Sequence, residues 1–318
     1  MDRKMKTFSK ILMAFAIASL PFACTKTEKN EPKGAKMVPV ELSLGIEGAQ
    51  GDLTRAASAL FPEVENWVFD YYYVQYTSRG ISVTSGHRRA DVTVGDMVVK
   101  DQIWLWDVGE CTVVYIANIR PAGANYGDAP AWESEGGGTV LIADNLAAFK
   151  AMKFDMTKRI EAIEDNTLKH MPMCGYWEGS ITEANNTEAD PFHMTATLGR
   201  MIVRMNLSIT NNSGSAITKV KLNNAASKAY LYPQVKNAPL DDAEYMDIEN
   251  TVSIPNGKHQ ALTFYTAPNF CEAGGNVTSL TFTNANGVEK TLELGNDVRK
   301  QDYNLYMNTI YSFNINLK

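Results

Sequence analysis

Met37-Val38-Pro39-Val40-Glu41-Leu42-Ser43-Leu44-Gly45-Ile46-Glu47 alternates without a break. Val38, Val40, Leu42, Leu44 and Ile46 share one parity, while Pro39, Glu41, Ser43, Gly45 and Glu47 share the other, which is the period of a half-buried strand. Pro39 sits on the polar parity and removes one ladder donor, so the strand is expected at a sheet edge or seated in a groove from outside. Gly48-Ala49-Gln50-Gly51-Asp52 then makes a loose connection to Leu53-Thr54-Arg55-Ala56-Ala57. An arginine between small residues in such a loop is open to a trypsin-like protease, which predicts cleavage after Arg55 and a new terminus at Ala56. The strand before the cut is then a removable piece.

Upstream of it, Arg3 to Lys10 form a charged region and Ile11 to Leu20 an apolar run too short to span a bilayer as a stable helix. Leu20-Pro21-Phe22-Ala23-Cys24 places a small residue directly before cysteine, as lipoprotein signal peptidases require, although Pro21 stands where an aliphatic residue is usual. Residues 1–23 therefore read as a signal peptide and Cys24 as a site of fatty acylation, palmitate for example. Thr25 to Gly34 is a polar tether with nothing to bury. Residues 24–55 together form a lipidated tether and propeptide.

A chain of 318 residues exceeds one typical domain, and two of ordinary size are expected. The formal charge is −6; residues 1–23 carry Arg3, Lys4, Lys6 and Lys10 against Asp2, which leaves the processed chain near −9. An acidic protein without a basic stripe offers no footing for nucleic acid. With Cys24 assigned to lipid, Cys111, Cys174 and Cys271 remain, enough for at most one disulfide and reading as buried apolar thiols. His87, His170, His193 and His259 show no metal-ligand spacing, and no nucleophile elbow or phosphate loop occurs. No catalytic residue, metal or cofactor is expected, and the protein is read as a non-enzyme.

Trp67 to Tyr76, dense in aromatic and β-branched residues, reads as a long strand, followed by shorter ones near Ile81–Thr84, Ala90–Val94, Lys100–Trp106 and Cys111–Asn118. Residues 120–138 read as an exposed loop. Between Asn145 and Ile163 the spacing of Leu146, Phe149, Met152, Ile160 and Ile163 predicts one broken or two short helices over the end of a sheet. The polar stretch Asn185 to Asp190 is expected to divide an N-terminal domain, 56–190, from a C-terminal one, 191–318. The latter opens with Met201, Val203, Met205, Leu207 and Ile209 on one face, and further strands recur at turn-separated intervals to Tyr311–Leu317, the pattern of an all-β sandwich.

Several stretches, in order, resemble the fimbrillin family of Bacteroidales, the subunits of the type V pilus. They are Leu53-Thr54-Arg55-Ala56, Trp67-Val68-Phe69-Asp70, Tyr115-Ile116-Ala117-Asn118, Met171-Pro172-Met173-Cys174-Gly175, Leu198 to Arg204 and Asn308-Thr309-Ile310-Tyr311. Cys174 departs from the threonine more usual there. The resemblance implies two transthyretin-like β-sandwich domains, export as a lipoprotein to the outer membrane, and removal of the N-terminal segment at an arginine. In the family, that removal opens a groove that a strand of the next subunit fills. Partners are then other fimbrial subunits, the outer membrane before maturation, and a host or bacterial surface ligand at exposed loops. Family shaft subunits continue past the last sandwich strand; here Tyr311–Leu317 reads as that strand, so a tip subunit with a role in adhesion is expected. A shaft subunit remains the alternative, as does an outer-membrane glycan-binding lipoprotein using Trp104 and Trp106, which would share one strand face.

Overall fold

The computed structural model describes residues 34–46, 68, 70–89, 98–119, 143, 145–157, 160, 171–183, 187–232, 243–271 and 275–318. The leader, Cys24, the segment with Arg55 and Ala56, the expected strand at 90–94, loop 120–138 and Ile163 lie outside them. Among the described residues, sixteen strands, a short helix, α1 (Leu146–Ala151), and one turn of 3-10 helix at Val298–Lys300 make the chain all-β with a minor helical insertion. None of the described helices is long and apolar enough to cross a membrane.

Seven strands of the first half form one hydrogen-bonded sheet. They are β1 (Met37–Ile46), β2 (Asp70–Thr77), β3 (Ser82–Arg89), β4 (Val98–Trp106), β5 (Gly109–Ala117), β7 (Met173–Ile181) and β8 (Phe192–Arg200), in the order β3-β2-β5-β7-β8-β1-β4. The sheet folds over on itself at β7 and β8. These two are paired only from Met173–Arg200 to Tyr176–Thr197, after which β7 continues beside β5 and β8 beside β1. Gly175 sits at this corner because a Cβ there would collide with the carbonyl oxygen of Thr197. The fold-over brings β2 and β5 face to face with β4 and β8: the Tyr71 hydroxyl on β2 donates to Asp101 Oδ2 on β4 at 2.5 Å, and the Tyr115 hydroxyl on β5 lies 2.8 Å from Met194 Sδ on β8. The result is a sandwich whose core holds Tyr71, Tyr115, Ile103, Leu105 and the apolar parity of β1.

The polar stretch before Asp190 is not a divider. Thr187 and Asp190 exchange main-chain hydrogen bonds in a tight turn that returns the chain from β7 to β8, two strands of the same sheet. β8 thus belongs to the sheet of the first half, and the strands of the second half begin at Val203. The strand β8 itself is an addition to the sequence reading: Met194, Ala196 and Leu198 are buried and His193, Thr195 and Thr197 exposed, an alternation legible in retrospect.

The second half forms a four-stranded sheet, β12 (Tyr245–Ile254), β10 (Ile217–Ala226), β14 (Ser279–Asn284) and β15 (Glu289–Glu293) in that order, and a three-stranded one, β13 (Lys258–Thr266), β9 (Val203–Asn211) and β16 (Thr309–Leu317). Met205, Leu207 and Ile209 from β9 and Phe264 from β13 share the buried core with Val220, Leu222, Leu280 and Phe282 of the facing sheet. Between the halves, the expected broken helical excursion is present with a strand between its pieces: after α1 and a short strand, Thr157 and Ile160 are helical again, and the Ile160 N–H donates to the Met156 carbonyl. Asn145 caps α1 by accepting from the Ala148 N–H at 2.8 Å, and β6 (Lys153–Asp155) then pairs with β11 (Lys228–Tyr230) of the second half. Tyr232 stacks on Tyr176 at 5.1 Å between centroids and meets Phe149 edge-on, with the Lys150 ammonium 4.6 Å from its ring centre. Arg200, fully buried, donates through Nη1 to Asn308 Oδ1 at 2.8 Å, and the Asn308 N–H donates to the Ile202 carbonyl, so the joint is stitched from both sides.

Candidate functional site

The five residues expected to form a removable strand come together in one place. Val38, Val40, Leu42, Leu44 and Ile46 are each 7% exposed or less, and Glu41 on the opposite parity is exposed. Burial of such side chains stabilises by roughly 1.5–3 kcal/mol each. The strand is not at an edge. It runs antiparallel to β4 from Met37–Trp106 to Gly45–Val98, and parallel to β8 from Val40–Phe192 to Ile46–Leu198. Pro39 is tolerated because the ladder with β8 begins one residue after it; on the other side it lies directly opposite Trp104. The edge strand is β4, whose one ladder partner among the described residues is β1.

The walls of this slot are held unequally. On one side, β8 has main-chain bonds to β7 at its far end, and Tyr115 reaches it through the core. On the other, β4 is gripped across the sandwich by side chains of β2. Gln75, fully buried, accepts from the Trp106 N–H through Oε1 and donates from Nε2 to the Trp106 carbonyl, both at 2.8 Å. The mouth is closed by Asp107, whose N–H donates to the Lys36 carbonyl at 2.8 Å and whose carboxylate accepts from the Glu183 N–H; the Lys36 ammonium pairs with the Glu183 carboxylate. On the outer surface Glu41 and His193 lie 3.3 Å apart, both exposed.

Other residues singled out in the sequence fall elsewhere. Cys111 and Cys174 are free and buried and Cys271 is free and half-buried; burial pushes the Cys174 thiol up to about 12 and raises that of Cys111 as well. Trp106 is 8% exposed and Trp104 half-buried, so the pair forms no open face on which a sugar could stack. His259 Nε2 lies 2.8 Å from Ser208 Oγ on an exposed sheet surface, where nothing excludes water. No group of three or more metal-binding side chains occurs among the described residues. Gln75 escapes a reading of the sequence because it stands inside an aromatic strand; its parity with Tyr71 and Tyr73, which points it inward, is the signal.

No family model matches the sequence, and no curated protein matches it. The fold does have solved counterparts, among them fimbrial and cell-adhesion proteins of Bacteroidales. The tip fimbrial protein Mfa3 from Porphyromonas gingivalis, with a C-terminal truncation, is similar over 88% of this chain and 94% of its own, with a TM-score of 0.59 and 11% identity. A fimbrial assembly protein from Parabacteroides distasonis is similar over 88% and 90%, with a TM-score of 0.51 and 12% identity. At such identities the likeness is one of fold.

Proposed function

We propose that the chain is a structural subunit of a surface fimbrium, exported to the outer membrane as a lipoprotein acylated at Cys24. Cleavage after Arg55 releases the segment holding β1, the mature chain starts at Ala56, and a strand of another subunit enters between β4 and β8. The observation that carries this reading is the seating of β1. An apolar strand from the N-terminal region completes a sandwich it joins only through residues 47–67, where Arg55 lies, and its departure would leave two strand edges and an apolar slot. The division into a sandwich ending at Arg200 and another beginning at Val203 belongs to the same proposal.

Within the fimbrium we assign the chain to the tip, with adhesion as its role. Two observations support this: β16 is laid along β9 from Thr309–Val203 to Leu317–Asn211 within its own sandwich, and the fold is shared with a tip fimbrial protein. The test is Arg55→Ala. Fimbriae from such cells should lack the subunit, which should accumulate as uncut lipoprotein labelled by an azido fatty acid at Cys24, whereas wild-type fibre material should begin at Ala56. Fibres incorporating Arg55→Ala as wild type would overturn the proposal, and immunogold spread along shafts would move the subunit from tip to shaft.

A further inference from the structure

We propose that Gln75 is a positioning residue that holds β4 as the fixed wall of the strand slot while β1 is absent; the inference rests on the strand-exchange reading above. The argument starts from the ladder. The Asp107 N–H donates to the Lys36 carbonyl, so Lys36 and Asp107 form a hydrogen-bonded pair and their neighbours Met37 and Trp106 a non-hydrogen-bonded one. The N–H and C=O of Trp106 therefore point away from β1, toward the outer edge of β4. Gln75 binds both, at 2.8 Å each, with the reciprocal geometry of a neighbouring strand.

One buried amide thus does two things. It ties the end of β4 to β2 through the core by bonds that do not involve β1, and it occupies the outer edge of β4 at that point, leaving the β1 side as the edge that can accept a strand. Tyr71, four residues earlier on the same face of β2, adds a second tie through Asp101 near the middle of β4. These ties matter little while β1 is in place, because the ladder from Met37–Trp106 to Gly45–Val98 already fixes β4. Once β1 leaves, β4 has no ladder among the described residues, and Gln75 and Tyr71 keep the slot at strand width.

The test uses the full chain, cut after Arg55 with a limited dose of trypsin and checked by N-terminal sequencing. A fluorescent peptide of residues 34–47 is offered in excess, and its incorporation is followed by anisotropy. Wild type should take up the peptide. Gln75→Leu should melt somewhat lower when uncut, keep slow amide exchange in β4, and take up the peptide at least about tenfold more slowly, since loss of hydrogen bonds to buried main-chain groups corresponds to a factor of that order. Tyr71→Phe, which keeps its ring in the core and serves should Gln75→Leu fail to fold, should slow uptake about threefold, as loss of one bond implies. Uptake by either variant at the wild-type rate overturns the assignment of that residue and leaves strand exchange standing, because a purely structural role lowers the melting point without touching uptake. A wild-type chain that takes up no peptide overturns the inference together with the reading beneath it.

Discussion

The two sandwiches are built to one plan and differ in where the central strand comes from. In each, a four-stranded layer faces a three-stranded one, and the middle strand of the latter has a parallel neighbour on one side and an antiparallel neighbour on the other: β1 between β8 and β4, β9 between β16 and β13. The parity is equally clean in both, with Val38 to Ile46 buried in β1 and Val203 to Ile209 in β9. But β9 follows β8 after Met201 and Ile202 and leads on toward β10, so it cannot leave without undoing the chain. The middle strand β1 lies at the N-terminal end of the described fold, with residues 47–67 between it and Val68. Equal burial therefore has unequal meaning under the proposed function: in one sandwich it is permanent, and in the other it is a seat.

The sharpest way to break this comparison is a matched pair of truncations. Leu42→Ala in β1 and Leu207→Ala in β9 remove similarly buried side chains, and each should destabilise the uncut chain by about 2–5 kcal/mol in denaturant unfolding. After cleavage and uptake of a wild-type strand peptide, the Leu42→Ala deficit should vanish while that of Leu207→Ala persists. A Leu42→Ala deficit that survives exchange would mean that β1 never leaves.

A smaller effect is expected at the joint. Arg200→Ala deletes a buried cation and its bond to Asn308, at a cost of about 1.5–3 kcal/mol. Because Asn308 leads into β16 and Arg200 ends β8, the loss should also part the unfolding of the two sandwiches. Calorimetry would show this as a broadened or split transition, and a sharp single one of reduced midpoint would mean that the contacts of Tyr232 suffice to couple them.

Much of this arrangement was legible, and the failures share a cause. The parity of residues 37–47 exposes β1 because alternation is local, and β9 is legible for the same reason. Of the two placements that Pro39 suggested, a sheet edge or a groove, the edge fails; which strands flank β1 was not legible, since its partners, Trp104 and Phe192, are remote in sequence and the effect of Pro39 depends on where each ladder starts. The polar stretch before Asp190 misleads because a hairpin turn and an interdomain linker have the same composition. The inward parity of β8, Met194, Ala196 and Leu198, holds no β-branched residue, so its strand signal is faint. For Gln75 the outcome was set by tertiary geometry: the two main-chain groups it binds are identifiable only once the register of β4 is known.

Both sandwiches should weaken at alkaline pH. Burial raises the Cys174 thiol from 9.0 to about 12 in the first, and burial raises the Tyr311 phenol from 10.0 to about 12 in the second. In each case the folded state holds its proton more tightly than the unfolded chain. The stabilisation is complete below the unfolded value and is lost as pH climbs toward the folded one, over pH 9–12 for Cys174 and pH 10–12 for Tyr311. Cys111 in the first sandwich and Cys271 in the second are raised from 9.0 by burial as well, so both should begin to weaken near pH 9, and Cys174→Ala should make the slope above that pH shallower in pH-dependent denaturation. An unchanged slope in the variant would assign it to another group.

The smallest effect concerns what the slot reads. Glu41 is the one charged outward side chain of β1; it pairs with His193 on the parallel neighbour, and both partners are exposed, with side chains 53% and 70% accessible. Such a pair is worth about 0.5 kcal/mol or less, and only while the imidazole carries a proton. Glu41→Gln should therefore shift the stability of the uncut chain by no more than that at low salt, and by nothing measurable once salt screens the surface. By contrast, the inward parity presents Val40, Leu42 and Leu44 at full burial, where one lost side chain costs several times as much. If the slot selects its strand by apolar parity and main-chain register, peptides of residues 34–47 carrying Glu41→Gln should enter at the wild-type rate, while those carrying Leu42→Asp should not enter at all. A marked loss with Glu41→Gln would instead make the outer face, and with it His193, part of how one subunit recognises the next.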